Sequence, residues 1–299
     1  MQSRLYLPKI ESAPDRILEY LVERFPQVLA QTWRERIARG LVTLDDGTTL
    51  TADTPYRHGV TVLYYREVPE EPLPVESETI VYQDAEILVA DKPHGMVVTP
   101  AGDHAERSLL SRLQRSTGLA TLAPIHRLDR ETAGIVLFSV SAVNAAARGR
   151  YHQLFADRIV EREYLAVAHF VNGTGQREWV VKNRMEPGEP WYRRRVSANT
   201  TDEPNAITRI ALIESQDEFG FFRLQPETGK KHQLRVHMAS IGFPIAGDLL
   251  YPEIRERRDS DPPLQLLAHR LSFIDPLSGE PRNFTSSRKL QWPLLRPME

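Results

Sequence analysis

The sequence predicts an α+β protein in two unequal parts, the larger built on a mixed, largely antiparallel central sheet with flanking helices. Three observations predict it. Residues 68–78 hold three prolines and four glutamates, too little apolar surface to pack, so the stretch reads as an extended, solvated linker. Before it, two helical patterns are followed by short strand patterns, an ααβ-type arrangement. After it, strands outnumber helices and do not follow the regular βαβα alternation of a parallel doubly wound sheet. The expected organisation is a small module over residues 1–66, a linker over 67–79 and a large domain over 80–299.

In the small module, Ser12 is a candidate helix cap and Pro14 a first-turn residue. Ile17, Leu18, Leu21, Val22 and Phe25 then recur at helical spacing. A second helix is expected from about residue 32 to 39, with Trp33 and Ile37 on one face and Gly40 at its end. Residues 41–44 form a short strand, Asp45-Asp46-Gly47 a hairpin turn and residues 59–65 another strand. Arg34, Arg36 and Arg39 lie on the second helix, as an ordinary charged outer face or as an RNA-contacting one.

In the large domain, residues 86–90 and 134–139 read as buried strands. Residues 141–155 read as a helix with Val143, Ala147, Tyr151 and Phe155 along one side. Residues 163–168, 206–212 and 220–224 read as strands, and 234–241 as a helix closed by Gly242.

Composition narrows the function classes. Hydrophobic residues make up 41% and charged residues 26% of the 299, the balance of a globular protein. The absence of cysteine excludes a disulfide framework, thiolate zinc sites and a cysteine nucleophile. No apolar run approaches the roughly 18 residues of a membrane span, and the start does not read as a signal peptide, so a cytoplasmic protein is expected. The net charge of −2 argues against a nucleic-acid partner until its distribution is considered. Seven acidic residues and no Lys or Arg fall between Glu67 and Val89, leaving both flanking parts slightly basic. The basic residues are 32 Arg and 6 Lys. Arginine suits bidentate phosphate contacts and base stacking, although a GC-rich genome gives the same bias.

Four stretches place reactive side chains where strands and helices end. In Asp91-Lys92-Pro93-His94-Gly95, the proline and glycine force a turn that can present Lys92 and His94 to a cleft, or simply form a surface loop. In His126-Arg127-Leu128-Asp129-Arg130-Glu131-Thr132-Ala133-Gly134, arginines on both sides of Asp129 favour its charged form. Such a carboxylate suits nucleophilic or base chemistry, and equally a structural Asp–Arg pair. Tyr164, in Arg162-Glu163-Tyr164, is a strand aromatic able to stack on a base or to fill a half-buried position. In Thr228-Gly229-Lys230-Lys231-His232-Gln233-Leu234-Arg235-Val236-His237, two lysines precede a helix N-terminus that favours anions, with Arg235 one turn inside. His232 and His237 are five apart, a poor spacing for a helical metal pair, and no metal is expected.

Together and in this order these stretches resemble the RluA family of pseudouridine synthases, over essentially all of residues 80–299. The run from His126 to Gly134 is the most specific. It is supported by Asp91 to Gly95, His232 to His237, Gly242 to Tyr251 and Ala268 to Phe273. The resemblance implies the pseudouridine synthase fold and an isomerase that breaks the uridine N1–C1′ bond and rejoins the base through C5. It implies Asp129 as the catalytic carboxylate, Tyr164 stacked on the base, Arg235 paired with the aspartate and Arg127 entering the RNA stack as the uridine flips out. Leu234 would pack under the site. His126, Arg130, Lys92, Lys230, Lys231 and His232, with Arg34, Arg36 and Arg39, are the further expected RNA contacts. The N-terminal part resembles the small RNA-binding module of a ribosomal small-subunit protein.

The implied substrate is structured RNA, ribosomal or transfer. The reaction is a redox-neutral rearrangement and implies no cofactor, and a monomer is the default. Ala133 stands where a serine is usual, and Lys230-Lys231 replaces a more typical Arg-Thr or Arg-Ser pair, departures that bear on RNA choice. The competing readings are a catalytically silent RNA-binding factor, against which the intact set of Asp129, Tyr164 and Arg235 speaks, and a hydrolase using Asp129 with His126 or His232.

Overall fold

The computed structural model describes residues 2–25, 28–65, 76–100, 106–140, 145–171, 175–190, 192–199, 201–258 and 260–293. The chain divides into two compact units, Met1–Glu71 and Pro72–Glu299. Most of the expected linker, residues 67–75, lies outside the described residues, as does the expected helix start at 141–144.

The first unit runs β1 (Gln2–Tyr6), α1 (Ile17–Arg24), α2 (Ala30–Ala38), β2 (Val42–Leu44) and β3 (Thr61–Tyr65). Its antiparallel sheet has the order β1-β3-β2, so it contains a leading strand that the sequence reading did not name. Leu21, Trp33, Ile37, Val42, Leu50 and Val62 form its core. The first helix starts at Ile17, later than a cap at Ser12 would give. Arg16 bridges Pro55, Tyr56 N–H donates to Asp15 O and Ile17 N–H to Thr54 O, so this segment is held extended until the helix begins. Glu19 then accepts from the Arg16 N–H.

The second unit runs β4 (Thr79–Gln83), β5 (Ile87–Lys92), α3 (Leu109–Thr117), β6 (Ala123–Pro124), β7 (Ala133–Ser139), α4 (Ala145–Ala156), β8 (Glu161–His169) and β9 (Glu178–Asn183). It continues with β10 (Met185–Pro187), β11 (Arg194–Val196), β12 (Ala206–Gln216), β13 (Phe219–Pro226), α5 (Gln233–Ser240), β14 (Leu266–Ile274) and β15 (Pro281–Thr285). Ten strands form one sheet on the path β4-β5-β7-β14-β8-β13-β12-β9, with β15 on β14 and β6 on β7. The pairs are antiparallel except β7 with β14. This is the mixed, largely antiparallel α+β sheet that the sequence predicts.

Strand periodicity sets the two layers. Leu88, Ala90, Val136 and Phe138 meet Leu109 and Leu113 of α3, while the alternate residues Ile87, Val89, Ile135 and Leu137 meet Tyr151 and Leu154 of α4. Covered on both faces, β5 and β7 are buried throughout and carry continuous apolar runs. The sequence reading missed α3, although its signals are present. Ser108 caps it by accepting from the Ser111 N–H, and Gly118 ends it in a left-handed conformation. Farther along the sheet, Ala166, Phe222, Leu224 and Leu266 pack against Leu234 and Met238 of α5.

One row of residues crosses the centre of the sheet. Gly134 on β7 is opposite Ala268 on β14, Ala268 opposite Tyr164 on β8, and Tyr164 opposite Leu224 on β13. Gly134 has φ +114°, and a Cβ there would lie 2.1 Å from Ala268 O. Only glycine permits this approach, which brings the loop before β7 close to Tyr164.

Candidate active site

The loop between β6 and β7 carries Asp129, and buried polar groups fix it from below. The Leu137 N–H donates to His126 Nε2 at 3.1 Å, and the imidazole stacks on Phe155 with centroids 4.9 Å apart. Burial, helped by Arg162, pushes His126 down to about 3, so the ring is neutral and free to accept. Lys92 is fully buried, and its ammonium donates to the carbonyls of Pro93 (3.0 Å), Met96 (2.7 Å) and Arg130 (3.0 Å). Three acceptors match its three N–H groups. Burial pushes Lys92 down to about 7, against the pull of Glu131 and Asp129. His94 Nδ1 reaches Glu131 O at 2.6 Å. Lys92 and His94 therefore hold the Asp129 loop and do not present a charge to the cleft.

The opposite wall is the turn before α5 and that helix's first turn. Gln233 anchors it, its amide oxygen accepting from Thr228 Oγ1 (2.8 Å) and the Lys230 N–H (3.0 Å) while its amide nitrogen donates to Ile207 O and Thr208 Oγ1. His237 joins this buried network through Thr208 Oγ1 and Asn183 Oδ1, so it is structural. Just before the helix, His232 has φ +57° and ψ 16°, a left-handed conformation that strains a non-glycine residue by about 1–2 kcal/mol.

Arg235 is buried, and its guanidinium forks onto Asp248, with Nε–Oδ2 2.8 Å and Nη2–Oδ1 2.6 Å. The Asp248 hydrogen bonds and charge raise Arg235 further although burial opposes its charge. Its remaining nitrogen, Nη1, has no hydrogen-bond partner among the described residues and stands 3.7 Å from Asp129 Oδ2. His232 Nε2 stands 3.9 Å from Asp129 Oδ1. Both distances exceed a hydrogen bond. The structural Asp–Arg pair is thus Asp248 with Arg235. Asp129, about a quarter exposed, keeps its lone pairs available to a substrate.

These groups line a cleft of about 810 Å³. Tyr164 forms part of its wall, and burial raises its phenol above the ordinary range, so it enters as a neutral ring and hydroxyl. Leu234 and Leu266 give it an apolar floor. Six further cations, Arg127, Arg130, Arg158, Arg162, Lys230 and Lys231, line the cleft, against the acids Asp129 and Glu227. An anionic polymer with flat bases fits this balance, which the net charge of the chain conceals.

The structure brings together Asp129, Tyr164, Arg235, Arg127, Arg130, Lys230, Lys231, His232 and His126. It does not bring Lys92 to the surface, as an RNA contact there requires. In the first unit Arg34 and Arg39 are exposed, but Arg36 is buried with its guanidinium over the Trp33 ring at 5.2 Å, which corrects its expected place on the outer face. Sequence reasoning missed Arg158, Arg162, Tyr251 and the role of Asp248. Arg162 directly precedes the Glu163-Tyr164 pair, and Asp248 and Tyr251 close the run from Gly242. Among the described residues, no group of three or more His, Cys, Asp or Glu side chains could hold a metal ion, and no helix is long and apolar enough to cross a membrane.

Comparison with known proteins shows the family of the chain. A family model described as RNA pseudouridylate synthase matches residues 86–240. The ribosomal large subunit pseudouridine synthase D of Xanthomonas campestris is 31% identical over 87% of this chain and 82% of its own length. An RNA pseudouridine synthase of Bacillus subtilis is 31% identical over 79% of this chain and 75% of its own. Among solved structures, human RNA pseudouridylate synthase domain containing 1 aligns with a TM-score of 0.58 and 25% identity, over 73% of this chain and 86% of that one.

Proposed function

The chain belongs to the RNA pseudouridylate synthase family and isomerises uridine to pseudouridine in RNA, and we propose that Asp129 is the carboxylate that starts the reaction. The observation that carries this reading is the division of labour around Arg235. Asp248 takes its fork, while the Asp129 carboxylate accepts no hydrogen bond among the described residues and stands open in a cationic cleft.

The isomerisation breaks the N1–C1′ bond, turns the base, forms the C5–C1′ bond, removes the C5 proton and leaves a proton on N1. No electrons are gained or lost. Asp129 supplies the anionic oxygen that starts bond cleavage. Arg235 Nη1 holds that carboxylate and balances its charge. Tyr164 stacks on the turning base. As a protonated phenol at neutral pH it offers its hydroxyl as a hydrogen-bond partner and is not itself a phenolate base. Arg127, exposed beside Asp129, fills the stack vacated by the flipped uridine. Lys230, Lys231 and Arg130 hold the phosphates. His126 and Lys92 act through the loop they fix.

The substrate is structured RNA, and large-subunit ribosomal RNA is favoured by the names of the relatives. Residues 1–66 act as an RNA-binding module through Arg34 and Arg39, and the enzyme works as a cytoplasmic monomer. The test is a pseudouridine map of total RNA from a strain lacking this chain. At least one site should disappear, and wild-type protein but not Asp129→Asn should restore it. A map unchanged at every site, or full rescue by Asp129→Asn, would overturn the reading.

A further inference from the structure

We infer that His232 is a positioning residue, a neutral imidazole locked by Tyr251 so that its Nε2–H aims at Asp129 Oδ1. The inference rests on Asp129 being the reacting carboxylate.

The direction of each hydrogen bond follows from the partners. The Arg194 main-chain N–H donates to the Tyr251 hydroxyl oxygen at 2.8 Å, which leaves the phenolic proton in need of an acceptor. The hydroxyl's other described polar neighbour is His232 Nδ1, at 2.9 Å. The phenolic proton therefore points to Nδ1, Nδ1 accepts, and the proton of the neutral ring sits on Nε2. Burial opposes the charged imidazole more than Asp129 favours it, so the ring stays neutral. Nε2 is the atom that faces Asp129 Oδ1 at 3.9 Å.

The surroundings hold this arrangement rigidly. The His232 side chain is 8% exposed. Its ring meets Tyr251 edge-on, with centroids 5.7 Å apart and planes at 80°. Tyr251 is itself covered by the guanidinium groups of Arg193 (5.0 Å) and Arg235 (5.4 Å). His232 holds a left-handed backbone at the entry to α5, a conformation it shares among the described non-glycine residues with Arg158 and Asp217. Asp129 is thereby faced by one N–H on each oxygen, Arg235 Nη1 at Oδ2 and His232 Nε2 at Oδ1. Two donors define the plane of a carboxylate, whereas one leaves it free to rotate. Both gaps are longer than a hydrogen bond, so the cradle closes as the substrate displaces water from the cleft.

Two conservative substitutions separate this role from a structural one. The glutamine amide nitrogen occupies the Nε2 position and can still donate to Asp129. Asparagine occupies the Nδ1 position, keeps the Tyr251 contact and tolerates the left-handed backbone, but cannot reach Asp129. Single-turnover rates and RNA affinity should be measured for wild type, His232→Gln, His232→Asn and Asp129→Asn. The expected result is that His232→Gln stays within about fivefold of wild type, while His232→Asn turns over at least about tenfold more slowly than His232→Gln, all with RNA affinity unchanged. Equal rates for the two, a faster asparagine variant, or a loss confined to affinity would overturn the inference. An active Asp129→Asn enzyme would instead overturn the reading on which it rests.

Discussion

Two carboxylates share Arg235, and their geometry assigns them different work. Asp248 takes the bidentate fork and also accepts from the Leu250 and Tyr251 N–H groups, so its lone pairs are spent. Asp129 keeps its own. Asp248→Asn would leave a buried guanidinium short of its counter-charge and draw it onto Asp129. The expected outcome is a loss of about 3 kcal/mol in denaturant unfolding, with a fall in single-turnover rate of at least about tenfold. An unchanged rate would mean that Asp248 does not govern where Arg235 points. Asp129 and Arg235 were legible in the sequence because their motifs are local. Which aspartate Arg235 grips was not, since Asp248 lies 13 positions away across a turn whose course the sequence does not display. Lys92 misled for a related reason. A lysine after a buried strand looks like a surface charge until the loop wraps three carbonyls around it.

At the scale of elements, strands with continuous apolar runs were readable because burial on both faces demands them, and β5 and β7 are such strands. Helix starts set by tertiary contacts were not. The first helix waits for residues 54–56 to release its entry segment, information that lies some 40 positions away. The α3 helix carried its cap, its apolar pair and its terminal glycine, and was legible in principle. The parallel pairing of β7 with β14 was invisible, because no local pattern reports a neighbour in the sheet, yet it sets the distance between Asp129 and Tyr164. Gly134→Ala tests that pairing. With a Cβ 2.1 Å from Ala268 O and φ +114°, the strands must part, and the variant should lose at least about 3 kcal/mol or fail to accumulate as soluble protein. Thermal unfolding near the wild-type temperature would show that the sheet absorbs the extra methyl group.

For the whole molecule, net charge was a poor guide to partner and charge distribution a better one. The acidic stretch before β5 masks a cleft in which cations outnumber acids. The two-part division was visible in composition, while the leading strand of the first unit was not. Deleting residues 1–66 should weaken RNA binding by about tenfold or more while the remaining unit, which has its own core, unfolds cooperatively. Equal affinity for the truncated and full-length proteins in a titration at matched salt would remove the proposed RNA-binding role of the first unit.

The place of β14 in the sheet ties assembly of the site to synthesis of the chain through residue 274. This strand spans Leu266–Ile274, yet it lies between β7 and β8, which the ribosome has made long before. Until it arrives, the facing edges of β7 and β8 are both unpaired, and nothing sets the spacing between the loop that carries Asp129 and the strand that carries Tyr164. A nascent or prematurely terminated chain that stops short of residue 266 carries every inferred catalytic side chain and no assembled site. It also carries two open strand edges, which invite pairing with other chains. A chain truncated before residue 266 should therefore show no isomerase activity in a single-turnover assay, and activity there would mean that the site assembles without β14.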